Sequence, residues 1–386
     1  MRVDPERDMI DRLRLARTDG VGPVAYRRLL RRFGSAAAAL DALPGLARAG
    51  GRATPPEIPP PAVALREIER VRKLGARLLF LDRSDYPPLL ALLDDAPPVI
   101  AVLGDASATA ARSVAVVGSR NASANGQRIA ESMAEELAAA GLVVVSGLAR
   151  GIDAAAHAGA LHAGRTVACV AGGIDVVYPS ENAALQARIA AGGAVVAEAP
   201  PGTAPQARHF PRRNRIIAGL SLGVVVVEAA PRSGSLITAR LAVEANRDVF
   251  AVPGSPLDPR CRGSNGLLRE GAVLAETAAD VLEHLREGIS RSPLFARDAP
   301  QGPPRGLREP LAAIDEQPDM APEELLQARS EVLGLLGPAP TAVDDLIRRC
   351  QFSAAAVMSV LLDLEIAGRV EALPGNRVAL LGEPGV

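Results

Sequence analysis

The residues of this chain best suited to chemistry are arginines clustered in a short segment. Arg208, Arg212, Arg213 and Arg215 lie close together, and no acidic residue stands among them. The apolar residues that follow predict a helix, and the amino end of a helix already carries partial positive charge. Arginines at that end are unfavourable unless an anion neutralises them, the alternative being a solvated basic surface. We therefore predict an anion-binding site in this segment.

Small polar residues and further arginines follow three other apolar runs. Gly118-Ser119-Arg120 leads into one predicted helix, Arg150 stands in the loop before another, and Ser233-Gly234-Ser235 begins a third. Backbone amides at helix starts, serine hydroxyls and guanidinium groups all donate hydrogen bonds to phosphate oxygens. The loops match neither Gly-x-Gly-x-x-Gly nor Gly-Lys-Ser/Thr, so they give little support to NAD or ATP binding.

Candidates for catalysis are few. Asp153 and His157 stand one helical turn apart and could do acid–base chemistry, but a capping aspartate beside a packed histidine is the commoner arrangement. The three cysteines, Cys169, Cys261 and Cys350, are scattered and make neither a disulfide framework nor a metal-binding pair. Loops rich in hydrogen-bond donors and poor in catalytic groups predict binding of a polyanion, without a metal or another cofactor.

A scaffold for these loops is predicted between residues 113 and 290. Short runs of β-branched and other apolar residues alternate there with alanine-rich helical stretches. Because the runs are continuously apolar, we expect a Rossmann-like α/β domain, a mostly parallel sheet with helices over both faces. Ligands of such sheets bind at the carboxyl ends of strands, so the loops described above should meet. The predicted strands are Val114–Val117, Leu142–Val145, Val167–Val170, Ala194–Val196, Val224–Val227, Val249–Val252 and Ala272–Leu274.

The residues before this scaffold read mainly as helices, with a turn at Gly20-Val21-Gly22-Pro23 and another helix over Ala62–Leu74. Such a turn connects two helices and can also offer backbone amides to a phosphate, and the sequence leaves both roles open. Ala76–Leu81 and Val99–Leu103 are predicted to be short strands.

The carboxyl-terminal part predicts a winged-helix domain. After a stretch rich in proline, arginine and acids come three helices, the second capped by Thr341, and then a hairpin at residues 369–380. Winged helices usually bind DNA, but residues 331–386 hold 4 basic and 7 acidic side chains, so contact with a protein is at least as well supported. The expected domains are 1–75 (helical, sterile-alpha-motif-like or helix-hairpin-helix-like), 76–290 (Rossmann-like), 291–325 (linker) and 326–386 (winged helix).

Composition limits the possible functions. The 386 residues carry a net charge of -1, which argues against a globally basic nucleic-acid binder. Hydrophobic residues make up 48%, enough for a sizeable core, while aromatic residues are 2%, too few for a surface paved with stacking rings. The longest uncharged apolar run, Ile216–Val227, is too short to cross a bilayer, and no signal peptide is visible. We expect a cytoplasmic protein without membrane contact.

Six motifs follow one another along the chain. They are Gly118-Ser119-Arg120, Ser146 to Asp153, Gly172-Gly173-x-Asp175-x-x-Tyr178-Pro179, Phe210 to Ser221, Ser233 to Ala239 and Val252-Pro253-Gly254. In this order they resemble the DNA-processing protein DprA/Smf family. The resemblance extends over nearly the whole chain, including the amino-terminal helices and the winged helix.

The resemblance implies a protein that binds single-stranded DNA without sequence specificity, protects it and promotes loading of the RecA recombinase during natural transformation. It also implies a homodimer formed through the Rossmann-like domain, and no catalytic activity. Many family members have a lysine in the DNA pocket, whereas arginine must serve here. Phe210 either stacks on a base or lies in the core. The residues expected to bind DNA are Gly118, Ser119, Arg120, Arg150, His209, Phe210, Arg212, Arg213, Asn214, Arg215, Ser233 and Ser235.

Two other functions are weighed against this one. A Rossmann-like nucleotide phosphoribohydrolase of the LOG type would need an acidic residue in its phosphate loop, and Ser233–Thr238 contains none. A winged-helix transcription regulator would need a basic recognition helix, which the acidic tail does not provide.

Overall fold

The computed structural model describes residues 4–52, 54–289, 322–373 and 375–381. They fall into two compact units, one of residues 67–300 and one of residues 1–66 together with 301–386. Most of the predicted linker, residues 291–325, lies outside the described residues, and its last residues already belong to a helix.

The described helices and strands are numbered separately in chain order. The helices are α1 (Pro5–Ala16), α2 (Pro23–Phe33), α3 (Ala36–Ala49), α4 (Pro61–Lys73), α5 (Pro88–Ala91), α6 (Ser107–Ala110), α7 (Ala124–Ala139), α8 (Ile152–Ala163), α9 (Ala183–Gly192), α10 (His209–Leu220), α11 (Gly234–Glu244), α12 (Arg262–Arg269), α13 (Ala278–Ile289), α14 (Pro322–Leu335), α15 (Val343–Arg349) and α16 (Ala354–Ile366). The strands are β1 (Ala76–Phe80), β2 (Val99–Gly104), β3 (Ser113–Gly118), β4 (Val143–Ser146), β5 (Thr166–Gly173), β6 (Ala194–Ala199), β7 (Gly223–Val227), β8 (Asp248–Ala251), β9 (Val273–Leu274), β10 (Thr341–Ala342), β11 (Val370–Leu373) and β12 (Arg377–Leu380).

The unit of residues 67–300 is built on a sheet with strand order β1-β2-β6-β5-β4-β3-β7-β8-β9. In the part of this order that runs from β6 through β5, β4, β3, β7 and β8 to β9, neighbouring strands are parallel. Val116 of β3 lies opposite Val225 of β7. The predicted mostly parallel α/β domain is therefore confirmed. Strands β1 and β2 extend it as an antiparallel edge.

Valines fill the middle of this sheet because it is covered on both faces. Val114 and Val116 of β3 are fully buried, and helix α7 packs over them with Ala130, Ala134 and Leu137. The alanines recur every four residues, so one narrow helical face lies close to the sheet. Ser123 caps the start of α7 by accepting a hydrogen bond from the Gly126 N–H at 2.9 Å. This cap fixes where the loop after β3 ends.

The second unit contains the amino-terminal helices and the winged helix. Helices α1 to α3 form the amino-terminal part, and α2 begins at Pro23 as expected. Helix α3 was not predicted; Pro44 lies within it, and a proline usually ends a helix. Helices α14 to α16 and the sheet β10-β12-β11 confirm the winged-helix layout. Thr341 is not a helix cap; it lies in β10 and pairs with Val378.

Across the residues that the structure describes, no helix combines the length and the hydrophobicity needed to cross a membrane.

Candidate functional site

Two adjoining cavities lie at the carboxyl end of the parallel sheet, with volumes of about 540 and 390 Å³. Both are lined by Arg120, Asn121, Ala149, Phe210 and Arg213, so we treat them as one feature, the groove. Its walls come from the loops after β3, β4 and β7 and from the start of α10. The loops that the sequence predicted to meet therefore do meet.

Gly118 ends β3 and allows the neighbouring strand to come close. A Cβ atom at this position would lie 1.9 Å from the Val227 carbonyl oxygen and 2.7 Å from the Ile152 side chain. No other residue fits without moving the backbone of β7. Ser119 follows, and its Oγ accepts a hydrogen bond from the Asn121 N–H at 3.2 Å. The tight loop leaves Arg120 exposed at the mouth of the groove.

Phe210 is half-buried and forms the centre of a cluster of rings and cations. The Arg120 guanidinium carbon lies 5.1 Å from the ring centroid and that of Arg213 lies 5.8 Å away. Tyr178, which is 50% exposed, packs edge-on against the same ring at 5.9 Å between centroids. Phe210 is therefore not a core residue, and its position leaves room for the stacking role that the sequence left open.

Arg213 forms the floor of the groove and differs from Arg120 in its surroundings. Its side chain is buried, and Nη1 donates to the carbonyls of Gly147 and of Cys169, the latter at 2.8 Å. The Asp153 carboxylate, close by, accepts from the Gly147 N–H at 3.2 Å and the Ala149 N–H at 3.4 Å. Burial lowers the pKa of Arg213 and raises that of Asp153, and their opposite charges counter both effects.

The other predicted arginines are divided between exposed and paired positions. Arg215 is buried and pairs with Glu198, Nη2 to Oε1 2.5 Å, and with the Asp95 carbonyl, so it does not line the groove. Arg212 is exposed but also does not line it. Arg150 lines the smaller cavity and pairs with Glu181 at 2.7 Å, with both side chains largely exposed.

His209 and Asn214 have structural contacts. The His209 ring nitrogen Nδ1 accepts from the Gln206 N–H at 3.2 Å, and His209 does not line the groove. Burial, with a smaller effect of the Arg208 and Arg212 charges, lowers the pKa of His209. Asn214 lines the groove and its Nδ2 donates to the Gly234 carbonyl at 3.2 Å, which ties α10 to the start of α11.

The start of α11 completes the groove. Ser233 is the N-cap, and its Oγ lies 2.7 Å from the Oγ of Ser235. Arg232, which precedes them, adopts a left-handed backbone with φ of 68° and is exposed. Arg232 and Asn121 also line the groove but were not among the residues predicted from the sequence, although both adjoin predicted motifs. Within the described parts of the chain, neither Arg120 nor Arg232 has an ion-pair partner.

The Asp153–His157 pair does not have the geometry of an acid–base couple. His157 is fully buried and its Nδ1 lies 2.7 Å from the Thr166 hydroxyl, while Asp153 is bonded to loop amides. Burial, with the nearby Arg213 charge, lowers the pKa of His157 to about 3, so the ring is neutral. The helix cap is Gly151 rather than Asp153. The histidine is packed as expected, but the aspartate organises the loop.

Among the residues that the structure describes, one group of side chains has atoms close enough to hold a metal ion. Ligand atoms of Glu228, Asp258 and Cys261 lie within 4.8 Å of one another. Glu228 is occupied with the backbone and hydroxyl of Ser123, and Asp258 pairs with Arg260 at 2.8 Å. Burial raises the pKa of the Cys261 thiol, which disfavours the thiolate that a metal requires. These contacts explain the cluster without an ion.

Comparison of the sequence with protein families gives three adjacent matches. Residues 77–286 match the family described as DNA recombination-mediator protein A. Residues 6–69 match the DprA-like N-terminal HHH domain, and residues 316–376 match the DprA winged helix domain.

Individual relatives agree with these matches. The chain is 40% identical to Protein Smf of Escherichia coli over 305 residues, which are 78% of this chain and 77% of that protein. It is similar to the crystal structure of DNA processing protein A of Streptococcus pneumoniae, with a TM-score of 0.60, 36% identity and coverage of 73% and 98%. A Helicobacter pylori DNA processing protein A, whose structure is described for its single-stranded DNA binding mode, has a TM-score of 0.50, 28% identity and coverage of 55% and 96%.

Proposed function

Since this chain belongs to the DNA recombination-mediator protein A family, which includes the DprA and Smf proteins, we propose that it binds single-stranded DNA in the groove. Binding there protects the strand and promotes recombination during DNA uptake. The DNA would be held by its phosphates and by stacking, without reading of base edges, so binding is independent of sequence.

The observation that carries this proposal is the contact of Arg120 with Phe210 at an open groove. Arg120 supplies a guanidinium for a phosphate, and the half-buried ring supplies an apolar face for a base. Asn121, Arg232 and the amide end of α11 line the same groove and add further donors. Their arrangement along a channel suits an extended polyanion better than a small metabolite.

We also propose a partner, a location and an assembly state for this protein. The protein loads the RecA recombinase onto the bound strand, it acts in the cytoplasm, and it self-associates through the Rossmann-like domain. The third is supported by apolar side chains that this domain leaves exposed, Val243 on α11 at 62% and Leu274 on the edge strand β9 at 50%. Exposed apolar side chains near a sheet edge are common at protein interfaces.

A phosphoribohydrolase is not supported by the groove. Such an enzyme needs a carboxylate that can reach a ribose. Asp153 is the acidic residue that lines the larger cavity. Its carboxylate accepts hydrogen bonds from two loop amides and interacts electrostatically with Arg213.

The proposal is tested by titrating the full chain with labelled single-stranded and duplex oligonucleotides at two salt concentrations. We expect preference for the single strand, steep weakening with salt and a loss of about tenfold for Arg120→Ala. Arg188→Ala removes an exposed arginine that does not line the groove and serves as the matched control. Equal binding by the two variants would refute the assignment of the groove.

A further inference from the structure

Helix α16 of the winged helix is buried on two sides. Val357, Val360, Leu361 and Leu364 belong to the core of the winged helix itself. Leu362 and Ile366, outside that core, are buried as well, because α16 also packs against α2 and α3. A helix that is apolar on most sides is one that is covered on most sides.

This packing conflicts with a DNA-reading role for α16. In winged helices the corresponding helix enters the major groove and needs basic or polar side chains on its outer face. Residues 354–366 contain no lysine or arginine, and the charged residues present are Asp363 and Glu365. The helix is therefore built to contact a basic protein surface.

That basic surface is on α2, which carries four arginines and no acidic residue. Arg32 Nη1 lies 3.9 Å from the Asp363 carboxylate and 3.3 Å from the Ser359 hydroxyl. Glu365 accepts a hydrogen bond from the Ala25 N–H in the first turn of α2 and is attracted by Arg28. The two carboxylates of α16 thus contact the amino-terminal N–H groups and the arginines of α2. The phosphates of a nucleic acid could bind the same groups.

We propose that the basic face of α2, formed by Arg28, Arg32 and the amide end of the helix, is a second DNA-binding site, and that α16 covers it with carboxylates in place of DNA phosphates. The winged helix is then an autoinhibitory cap on the amino-terminal hairpin. The ligand is the phosphate backbone of DNA, and the site opens when α16 moves away.

The carboxylates make a cap that phosphate can displace. Burial raises the pKa of Glu365 to about 7 and that of Asp363 to about 6, although Arg28, Arg32 and Arg329 oppose the shift. Their ionised forms are therefore held against a desolvation cost. A phosphodiester stays ionised throughout this range, so it competes well for the same arginines.

Substitution of one glycine, Gly50, or of one alanine, Ala367, can open the cap without adding charge. A Cβ atom on Gly50 would lie 2.1 Å from the Asp363 carbonyl oxygen and 2.6 Å from the Ala367 Cβ. Gly50 has φ of -68°, which any residue can adopt, so Gly50→Leu wedges α16 away while leaving α3 intact. Ala367→Trp wedges the same contact from the opposite side. Gly45→Leu is the matched control, because a Cβ there meets nothing within 4 Å.

All variants are made in the full chain with Arg120→Ala, so that the groove contributes little, and their affinity for a labelled 30-nucleotide strand is measured at low salt. We expect both wedge variants to bind about tenfold more tightly than the Arg120→Ala parent, as one or two new phosphate contacts would give. Gly45→Leu should not differ from the parent. Adding Arg28→Gln and Arg32→Gln to Gly50→Leu should remove the gain.

No gain from either wedge would overturn the cap, and a gain that survives loss of Arg28 and Arg32 would place the new site elsewhere than on α2. The inference uses the proposed DNA function but not the groove. If Arg120→Ala leaves binding unchanged, the groove assignment fails, and the comparison of wedge with control still decides the cap.

Discussion

Arg120 and Arg213 lie against the same aromatic ring but are held in different ways. Arg120 is exposed, whereas Arg213 is buried and donates to the carbonyls of Gly147 and Cys169. The sequence predicted both as DNA-binding residues and did not distinguish them. The structure assigns Arg213 a second task, which is to join the loop after β4 to strand β5.

We therefore predict that Arg213→Ala lowers stability as well as DNA affinity. Loss of the guanidinium leaves two buried carbonyl acceptors without a partner, at a cost of about 2–4 kcal/mol. Urea unfolding of the full chain measures this change. Arg120→Ala, in which only an exposed side chain is truncated, should unfold like the parent protein. Identical unfolding of the two variants would show that Arg213 has no structural role.

The half-buried ring of Phe210 is placed to stack on a base of the bound strand. If the ring stacks on a base, Phe210→Leu should weaken binding of an oligonucleotide by about 1–3 kcal/mol. The same variant should bind an abasic strand of equal length as tightly as the parent protein does, because that strand has phosphates but no bases. Fluorescence anisotropy with the two strands separates the effects. A similar loss with both strands would mean that Phe210 serves only to hold Arg120 in place.

For helices and strands, the sequence predicted those features that depend on residues close together along the chain. Continuous apolar runs such as Val224–Val227 predicted buried strands. Strand β7 does end at Val227, whereas β5 and β6 each extend three residues beyond the predicted Val170 and Val196. Contacts between residues far apart in the sequence could not be predicted in this way. Nothing local indicates that Glu198 would neutralise Arg215, or that β1 and β2 would join the sheet as an antiparallel edge.

The same limit applies to the site. Small residues and arginines at strand ends indicated an anion-binding groove, because any parallel sheet brings those ends together. Whether a given arginine faces the groove depends on the helix rotation around α10. Arg213 faces it and Arg215, two residues further on, turns away towards Glu198.

Helix α16 gives a prediction for pH. Burial raises the pKa of Glu365 from an ordinary 4.5 to about 7, and that of Asp363 to about 6. A carboxyl with a raised pKa binds its proton more tightly in the folded state, so its stabilising effect is complete below about pH 4.5 and is lost as the pH rises through 7. We expect the unfolding free energy of the unit containing α16 to fall by roughly 2 kcal/mol between pH 5 and pH 8.

The check is urea unfolding of the full chain at several pH values, beside Glu365→Gln. The amide cannot ionise but can still accept the Ala25 N–H, so most of the pH dependence should disappear. The groups that face the two carboxyls are Arg28 and Arg32 on α2 and Arg329 on α14. An unchanged pH dependence in Glu365→Gln would assign it to other groups.

At the scale of the whole molecule, the net charge of -1 sets the conditions for binding. A neutral protein gains little from long-range attraction to DNA, so a single groove with few arginines should bind moderately. Joining two grooves on one strand raises affinity without any new contact, because the second binding event becomes intramolecular. Self-association is therefore expected to matter more here than it would in a strongly basic protein.

The role of self-association can be tested at the exposed apolar side chains Val243 and Leu274. We expect Val243→Glu combined with Leu274→Glu to reduce the mass measured by sedimentation to that of one chain, 39.9 kDa. A strand long enough to reach two grooves should then bind about tenfold or more weakly, whereas a strand that fills one groove should bind as before. Leu326→Glu changes an equally exposed leucine of α14, at 63%, and should alter neither measurement. If the double variant keeps the mass of the parent protein, the interface lies elsewhere. If the double variant is monomeric and still binds long strands as tightly as the parent protein, each groove binds DNA independently and the low net charge does not limit affinity.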